Sequence, residues 1–248
     1  MIYFLLVIFC CSTFSVPPIL EITGPELLEK SIKYHDKKDK WGKAMLRLKL
    51  SEQAPDGYSI DCVVDLNSKT SGFRHSQLIG DDLILRQVNQ GKCNFAVNNA
   101  TQINNDDIET FRLNCTRTKY YRNYYSFLWG LPMKLKDVGT IIDDEVEVVH
   151  FNNEFCFQLK VTYAKDVGND IWYFYMDQQN FALRGYRYYT NEAEDDGEYV
   201  VLDGEQLIGN MLIPKNRKWY SNFTNKYIGV DILKEGDKIK DWELRPQS

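Results

Sequence analysis

Histidine is the side chain that exchanges protons near neutral pH, so the three histidines, His35, His75 and His150, are the first candidates for chemistry. His35 precedes Asp36 at what the pattern makes a helix end. Neighbouring residues on a helix do not face each other, so the pair is no ready-made acid–base dyad. His35 reads as a helix-terminal residue interacting with the dipole. His75 and His150 fall on strand patterns and read as edge or core residues. No HExxH, no GxSxG and no glycine-rich phosphate loop occurs. The acidic runs Asp81-Asp82, Asp106-Asp107, Asp143-Asp144-Glu145 and Glu194-Asp195-Asp196 read as solvated turns, and none has the ligand spacing of a calcium loop. The expectation is therefore no catalytic residue, no metal and no cofactor. The competing class is a hydrolase with dispersed carboxylates, its candidates being His35, Asp36, Asp177 and Glu198.

Thiols are the next reactive group. Cys62, Cys93, Cys115 and Cys156 are widely separated and form no CxxC, which argues against common zinc sites and a thioredoxin-type pair. In an exported chain they predict at least one disulfide, with the connectivity left open.

Aromatic residues carry the strongest signal, at 16 Tyr, 13 Phe and 5 Trp. Ile171-Trp172-Tyr173-Phe174-Tyr175-Met176 is wholly apolar or aromatic. Side chains alternate across a strand, so Trp172, Phe174 and Met176 share one face, and Ile171, Tyr173 and Tyr175 the other. In the next strand Arg184, Tyr186 and Tyr188 fall together, with Leu183, Arg187 and Tyr189 opposite. A strand with one wet face should alternate polar and apolar residues. These do not, so both faces must meet a second layer, a helix or a ligand. Ordinary two-sided core packing is one outcome. The other is an aromatic cavity with polar rims, since Tyr and Trp keep one end apolar and one end wet. Its candidate lining is Trp172, Phe174, Tyr186, Tyr188 and Trp219, with Tyr121, Tyr124 and Trp129 from a helix. Arg184, Arg187, Lys215 and Arg217 are candidates to meet an anionic head group at its mouth.

The elements that would position these residues follow from periodicity. Thr23-Gly24-Pro25 opens a helix expected over Pro25–His35, whose Leu27, Leu28, Ser31, Ile32 and His35 share a face. A second helix is expected from Thr116 to Leu128, ended by Gly130 with Pro132 beyond it. Elsewhere the period is two. Met45–Leu50, Tyr58–Leu66, Gly72–Ile79, Leu83–Val88 and Lys92–Val97 read as strands. So do Glu145–Phe151, Phe155–Tyr163, Ile171–Met176, Ala182–Thr190, Glu198–Leu202, Met211–Tyr220 and Tyr227–Leu233. Asn152-Asn153, Asp196-Gly197, Asp203-Gly204 and Gly209-Asn210 read as the turns, and residues 98–107 as a loop. Short strands in succession indicate an antiparallel sheet rather than alternating βα units. The expected class is mainly β: one large curved antiparallel sheet, or an incomplete barrel, with two helices packed on it.

The chain has 248 residues, 44% of them hydrophobic, and a net charge of −5. It is long enough to bury a sizeable core, and its mild acidity argues against a nucleic-acid partner. Met1–Cys11 is uncharged and almost wholly apolar. That is too short to span a bilayer but fits a secretory signal, with a cut after Ser15 leaving one β-rich domain over 16–248. Cys11 is a candidate lipidation site, which would make a lipid anchor the only membrane attachment. The expected product is a monomeric envelope or periplasmic protein.

Tyr121-Arg122-Asn123-Tyr124-Tyr125-Ser126-Phe127-Leu128-Trp129-Gly130-Leu131-Pro132-Met133-Lys134-Leu135 resembles a stretch of an uncharacterised family of exported proteins, found mainly in Bacteroidota. Trp172–Tyr175, Gly185–Tyr188, Gly197-Glu198-Tyr199 and Ile213–Tyr220 continue the resemblance, which covers most of the mature chain. The strand-and-turn pattern from Trp172 to Tyr189 is also similar to the lipoprotein-carrier fold (LolA/LolB-like). That similarity implies an incomplete antiparallel barrel whose helices close an apolar cavity, and so a lipid or other apolar ligand. The family brings no assigned activity, so it implies no catalytic residues. A purely structural or interaction role in the envelope is the alternative.

Overall fold

The structure is a computed structural model and describes residues 22–240 and 242. The proposed leader and Cys11 lie outside these residues. Helix α1 (Gly24–His35) opens on a capping box: the Thr23 hydroxyl accepts the Glu26 N–H, and the Glu26 carboxylate accepts the Thr23 N–H at 3.0 Å. Five strands follow, β1 (Met45–Gln53), β2 (Ser59–Asn67), β3 (Gly72–Ile79), β4 (Asp82–Asn89) and β5 (Lys92–Val97). Helices α2 (Asn105–Thr110) and α3 (Cys115–Gly130) come next. The second half contains β6 (Thr140–Phe151), β7 (Glu154–Tyr163), β8 (Ile171–Asp177), β9 (Leu183–Tyr189), β10 (Glu198–Ile208), β11 (Met211–Ser221) and β12 (Tyr227–Lys238).

All twelve strands form one antiparallel sheet in the order β5-β4-β3-β2-β1-β12-β11-β10-β9-β8-β7-β6. Within each half, β1–β5 and β6–β12, consecutive strands lie side by side, and β1 pairs with β12 to join the two halves. The sheet curves but does not close, leaving β5 and β6 as its edges. Register shifts at Lys49/Leu50, Ile142/Val146, Tyr175/Met176 and Trp219/Tyr220 are places where a strand gains one residue, or two at Ile142/Val146, and bends. The expected β class and both expected helices are present.

Three local differences have physical reasons. The loop expected over 98–107 ends in α2, a short helix with no buried residue, so no apolar stripe announced it. Asp203-Gly204 is not a turn, because β10 runs through it in constant register with β11. The acidic run Asp143–Glu145 lies inside β6, at the register shift between Ile142 and Val146.

Both helices cover the same, inner face of the sheet. There Leu46, Leu48 and Leu50 of β1, Leu159 and Val161 of β7, Phe174 of β8 and Tyr186 of β9 form the main core with Leu27, Leu28, Leu128 and Trp129. Helix α1 packs on β6, β7 and β11, and α3 lies over β4, β5 and β11. The outer faces of the aromatic strands have no helix on them. Instead Phe151 stacks on Tyr175 with ring centres 3.9 Å apart, and Tyr199 stacks on Tyr220 at 4.9 Å.

His35 does not act as a cation on the helix dipole. It is fully buried, its Nδ1–H donates to the Leu212 carbonyl (2.7 Å), and its Nε2 accepts the Leu183 N–H (3.0 Å). Burial lowers its pKa, and the neutral ring ties α1 to β9 and to Leu212 in β11. Asp36 serves the backbone, accepting N–H groups of Lys40 and Trp41. His75 is buried as expected of a core residue, and His150 is exposed.

One disulfide, Cys93–Cys115, joins β5 to the first residue of α3. Cys62 and Cys156 are free and buried. They sit among the inner-face and outer-face clusters respectively, on opposite sides of the sheet.

Candidate functional site

Helix α3 divides its aromatic residues between two jobs. Its start is fixed by Asn114, whose side chain accepts the Arg117 N–H at 2.8 Å, and by the disulfide. At its end Gly130 lies against Trp41, where a Cβ would run into the indole. Tyr121 and Tyr125 face the sheet and stack on His75 at 5.4 and 5.5 Å. Tyr120, Tyr124 and Phe127 line the open side of the helix.

Between that side and the inner face of the sheet lies an open cleft of about 870 Å³. That volume is within the range of ligand sites. Its aromatic walls are Tyr120, Tyr124 and Phe127 of α3, Trp172 of β8, Tyr188 of β9 and Trp219 of β11, with Tyr58, just before β2, at the rim. The walls are continuous: Trp172 stacks on Tyr188 (4.9 Å) and meets Phe127 edge-on (5.1 Å). Trp172 and Tyr188 are direct cross-strand partners, as are Tyr188 and Glu198. A second hollow of about 360 Å³ shares Asn123, Phe127, Val167, Asp170 and Trp172 with the cleft and extends it around the helix.

Among the described residues, the charged groups that line the cleft are all acidic. Glu52 of β1 and Asp231 of β12 stand directly opposite each other, and Arg217 of β11 is the next partner of Asp231. Like charges in facing positions repel. Burial and the neighbouring Glu52 carboxylate push Asp231 up to about 6, against a weaker lowering by its hydrogen bond from Trp219. Glu198 is also raised by burial. Glu52 accepts the Tyr125 hydroxyl at 2.6 Å. Asp170 completes the acidic set among the lining residues.

The structure divides the residues singled out from the sequence. Trp172, Tyr188, Trp219 and Tyr124 meet in the cleft. Phe174, Tyr186 and Trp129 are shut into the core beneath it, because the helices seal the deeper part of the same sheet face. Tyr121 packs under α3. Arg184 leaves the Tyr186–Tyr188 series, since the register shift at Tyr175/Met176 turns Leu183 inward instead. It pairs with Asp177 (2.8 Å) and Glu154 (3.8 Å), outside the cleft. Arg187 is on the outer face, its guanidinium 5.0 Å from the Tyr199 ring centre and bonded to the Tyr189 hydroxyl. Arg217 is not at the mouth either. Fully buried, it lies over Trp129 (3.5 Å) and donates to the Leu128 and Pro214 carbonyls. Lys215 is exposed and does not line the cleft. No Lys or Arg is among the described residues of the cleft wall.

Sequence reasoning missed Glu52, Glu198 as a cleft residue, Asp231, Tyr120 and Phe127. A signal for Glu52 existed: it continues the Leu46, Leu48, Leu50 alternation and so puts a charge at a core-facing position. Asp231 stands in the same relation to Leu233. Among the described residues no group of three or more His, Cys, Asp and Glu is arranged to hold a metal ion.

An open antiparallel sheet wrapped around helices, with a ligand-sized cleft left beside one of them, defines the structural class. The chain belongs to DUF6503, a family of unknown function, which matches it over residues 2–236. No curated protein matches it in sequence. Among solved structures it is similar to a DUF1329 family protein from Desulfovibrio piger, with a TM-score of 0.51 and 7% identity, over 90% of this chain and 95% of that one. A putative outer membrane lipoprotein-sorting protein domain from Vibrio parahaemolyticus gives 0.50 and 8%, over 89% and 94%. A LolA superfamily protein from Nitrosomonas europaea gives 0.49 and 11%, over 90% and 96%. These likenesses concern the fold.

Proposed function

We propose that the protein is an exported envelope binding protein that holds a lipid or other amphiphile in the cleft between α3 and the sheet. The observation that carries this reading is the aromatic wall of Tyr124, Phe127, Trp172, Tyr188 and Trp219 around about 870 Å³ of open volume. Apolar ligand surface buried there gains roughly 25 cal/mol per Å², so an acyl chain binds without strong polar contacts. The fold shared with a domain described as putatively lipoprotein-sorting supports the same class of ligand. Export rests on the apolar Met1–Cys11 run. No helix among the described residues is long and apolar enough to cross a membrane.

The test is native mass spectrometry of protein purified gently from its source. Co-purifying amphiphile, lost when Trp172 becomes Glu with the circular dichroism spectrum unchanged, is the expected result. Protein that carries nothing and takes up no alkyl-chain probe defeats the reading.

Hydrolysis by dispersed carboxylates draws on one observation, the raised Asp231 facing Glu52, since a carboxyl that titrates near neutrality suits general acid–base work. Turnover in a hydrolase screen that is lost in both Glu52→Gln and Asp231→Asn would favour it over binding alone.

A further inference from the structure

The cleft's charge says which amphiphile it takes. We propose that it selects a cationic one, an ammonium head group attached to an apolar chain, with the head among Asp231, Glu198, Trp219 and Tyr188 and the chain running past Phe127 and Trp172. This rests on the binding reading above and fixes the sign of the ligand's head group.

Four carboxylates, Glu52, Asp170, Glu198 and Asp231, line the same cleft as seven aromatic rings. Aromatic faces are the negative side of the ring quadrupole and attract an ammonium. An anionic head would instead meet carboxylates, with no Lys or Arg among the described residues of the cleft wall. Lys134 lines the neighbouring hollow and is already paired with Asp137. The buried Arg217 compensates part of the acidic charge, but its donors reach the Leu128 and Pro214 carbonyls. Glu52 is likewise partly satisfied, by Tyr125. Among the described residues the Asp231 carboxylate accepts one side-chain hydrogen bond, from Trp219, and an ammonium would relieve its repulsion with Glu52.

The groups that act on Asp231 are Glu52 of β1, Arg217 and the Trp219 N–H of β11, and Glu198 of β10. Tyr124 of α3 and Tyr186 of β9 also feel it. Its pKa of about 6 means that the carboxylate is ionised at pH 8 and mostly protonated at pH 5. Cation affinity should therefore fall as pH falls through about 6.

The experiment titrates the whole mature protein with decyltrimethylammonium and with decyl sulfate, both below micelle formation, reading tryptophan fluorescence and calorimetry. At pH 8 the cation is expected to bind at least roughly tenfold tighter, a difference of about 1.4 kcal/mol. The preference is expected to shrink at pH 5, in Asp231→Asn and in Glu198→Gln. The exposed-strand control Glu147→Gln, with the same change in net charge, keeps it. Equal or tighter binding of decyl sulfate overturns the cationic assignment and leaves the cleft reading standing. A cation preference that persists undiminished in both cleft variants also overturns it, since it then reflects only overall charge. If neither probe binds, this inference and the binding reading fall together.

Discussion

The Trp219 indole N–H donates a 2.8 Å hydrogen bond to the Asp231 carboxylate, and that one contact joins an aromatic wall of the cleft to its acidic floor. It also fixes a stability prediction. Asp231 has a folded-state pKa of about 6, above its ordinary 3.8. The native state thus binds the proton more tightly than the unfolded chain between these values. Stability from this group is greatest below about pH 4 and is lost as pH rises through about 6. Asp231→Asn keeps the acceptor for Trp219 and removes the charge. It should therefore raise stability at pH 8 by on the order of 1–2 kcal/mol and leave it nearly unchanged at pH 4. Urea unfolding at the two pH values checks this. No gain at pH 8 would mean that the carboxylate is not penalised by burial.

His75 acts with the opposite sign. It lies buried between β3 and the Tyr121 and Tyr125 rings, and burial together with the nearby Arg86 guanidinium lowers its pKa to about 3. The unfolded chain takes up a proton near pH 6.5, whereas the native state stays neutral. Stability is therefore present above about 6.5 and drains away as pH falls towards 3, at up to about 1.4 kcal/mol per pH unit. His75→Phe keeps an aromatic ring in the stack and should flatten that slope. A pH series of urea midpoints measures it, and an unchanged acid limb would place the linkage elsewhere.

His35 predicts a larger loss. Truncation to Ala leaves the Leu212 carbonyl and the Leu183 N–H without their buried partner and opens a cavity under α1. A cost of roughly 2–5 kcal/mol is expected from both effects. His35→Gln, which retains a donor and an acceptor, should recover part of it. Thermal unfolding of the two variants tests the order. Equal losses would show that the ring's volume, not its hydrogen bonds, ties α1 to the sheet.

Strand positions were legible because one face of nearly every strand is buried, and burial writes a period of two into the sequence. Met45–Leu50 shows it plainly, with Leu46, Leu48 and Leu50 inward and Arg47 and Lys49 outward. The same rule grouped Trp172 with Phe174 and Tyr186 with Tyr188, yet only one of each pair lines the cleft. Depth under the helices separates them, and depth has no period. Register shifts were invisible too, and the one at Tyr175/Met176 sends Arg184 away from the aromatic series. The acidic floor escaped because Glu52, Glu198 and Asp231 are far apart in sequence. They converge only through the β1–β12 pairing and the curvature of the sheet, neither of which is encoded locally.

The disulfide supplies the last prediction. Cys93 and Cys115 are 22 residues apart and pin the start of α3 to edge strand β5. Closing a loop of that length restricts the unfolded chain by about 3 kcal/mol, so the Cys93→Ser, Cys115→Ser double variant should lose about that much. The effect on binding should be smaller than on stability. Of the three cleft-facing residues of α3, Tyr120 is near the disulfide, but Tyr124 and Phe127 lie two turns or more along the helix, and the buried Arg217 holds its other end through the Leu128 carbonyl. The remaining thiols give an independent readout. Cys62 and Cys156 are buried, and desolvation pushes them up to about 12 and about 11, so neither should react with a thiol reagent in native protein at pH 8. Protein beginning at Val16 should show two reactive thiols on unfolding without reductant. Four would mean that Cys93 and Cys115 are not joined, and none would mean that Cys62 and Cys156 are oxidised.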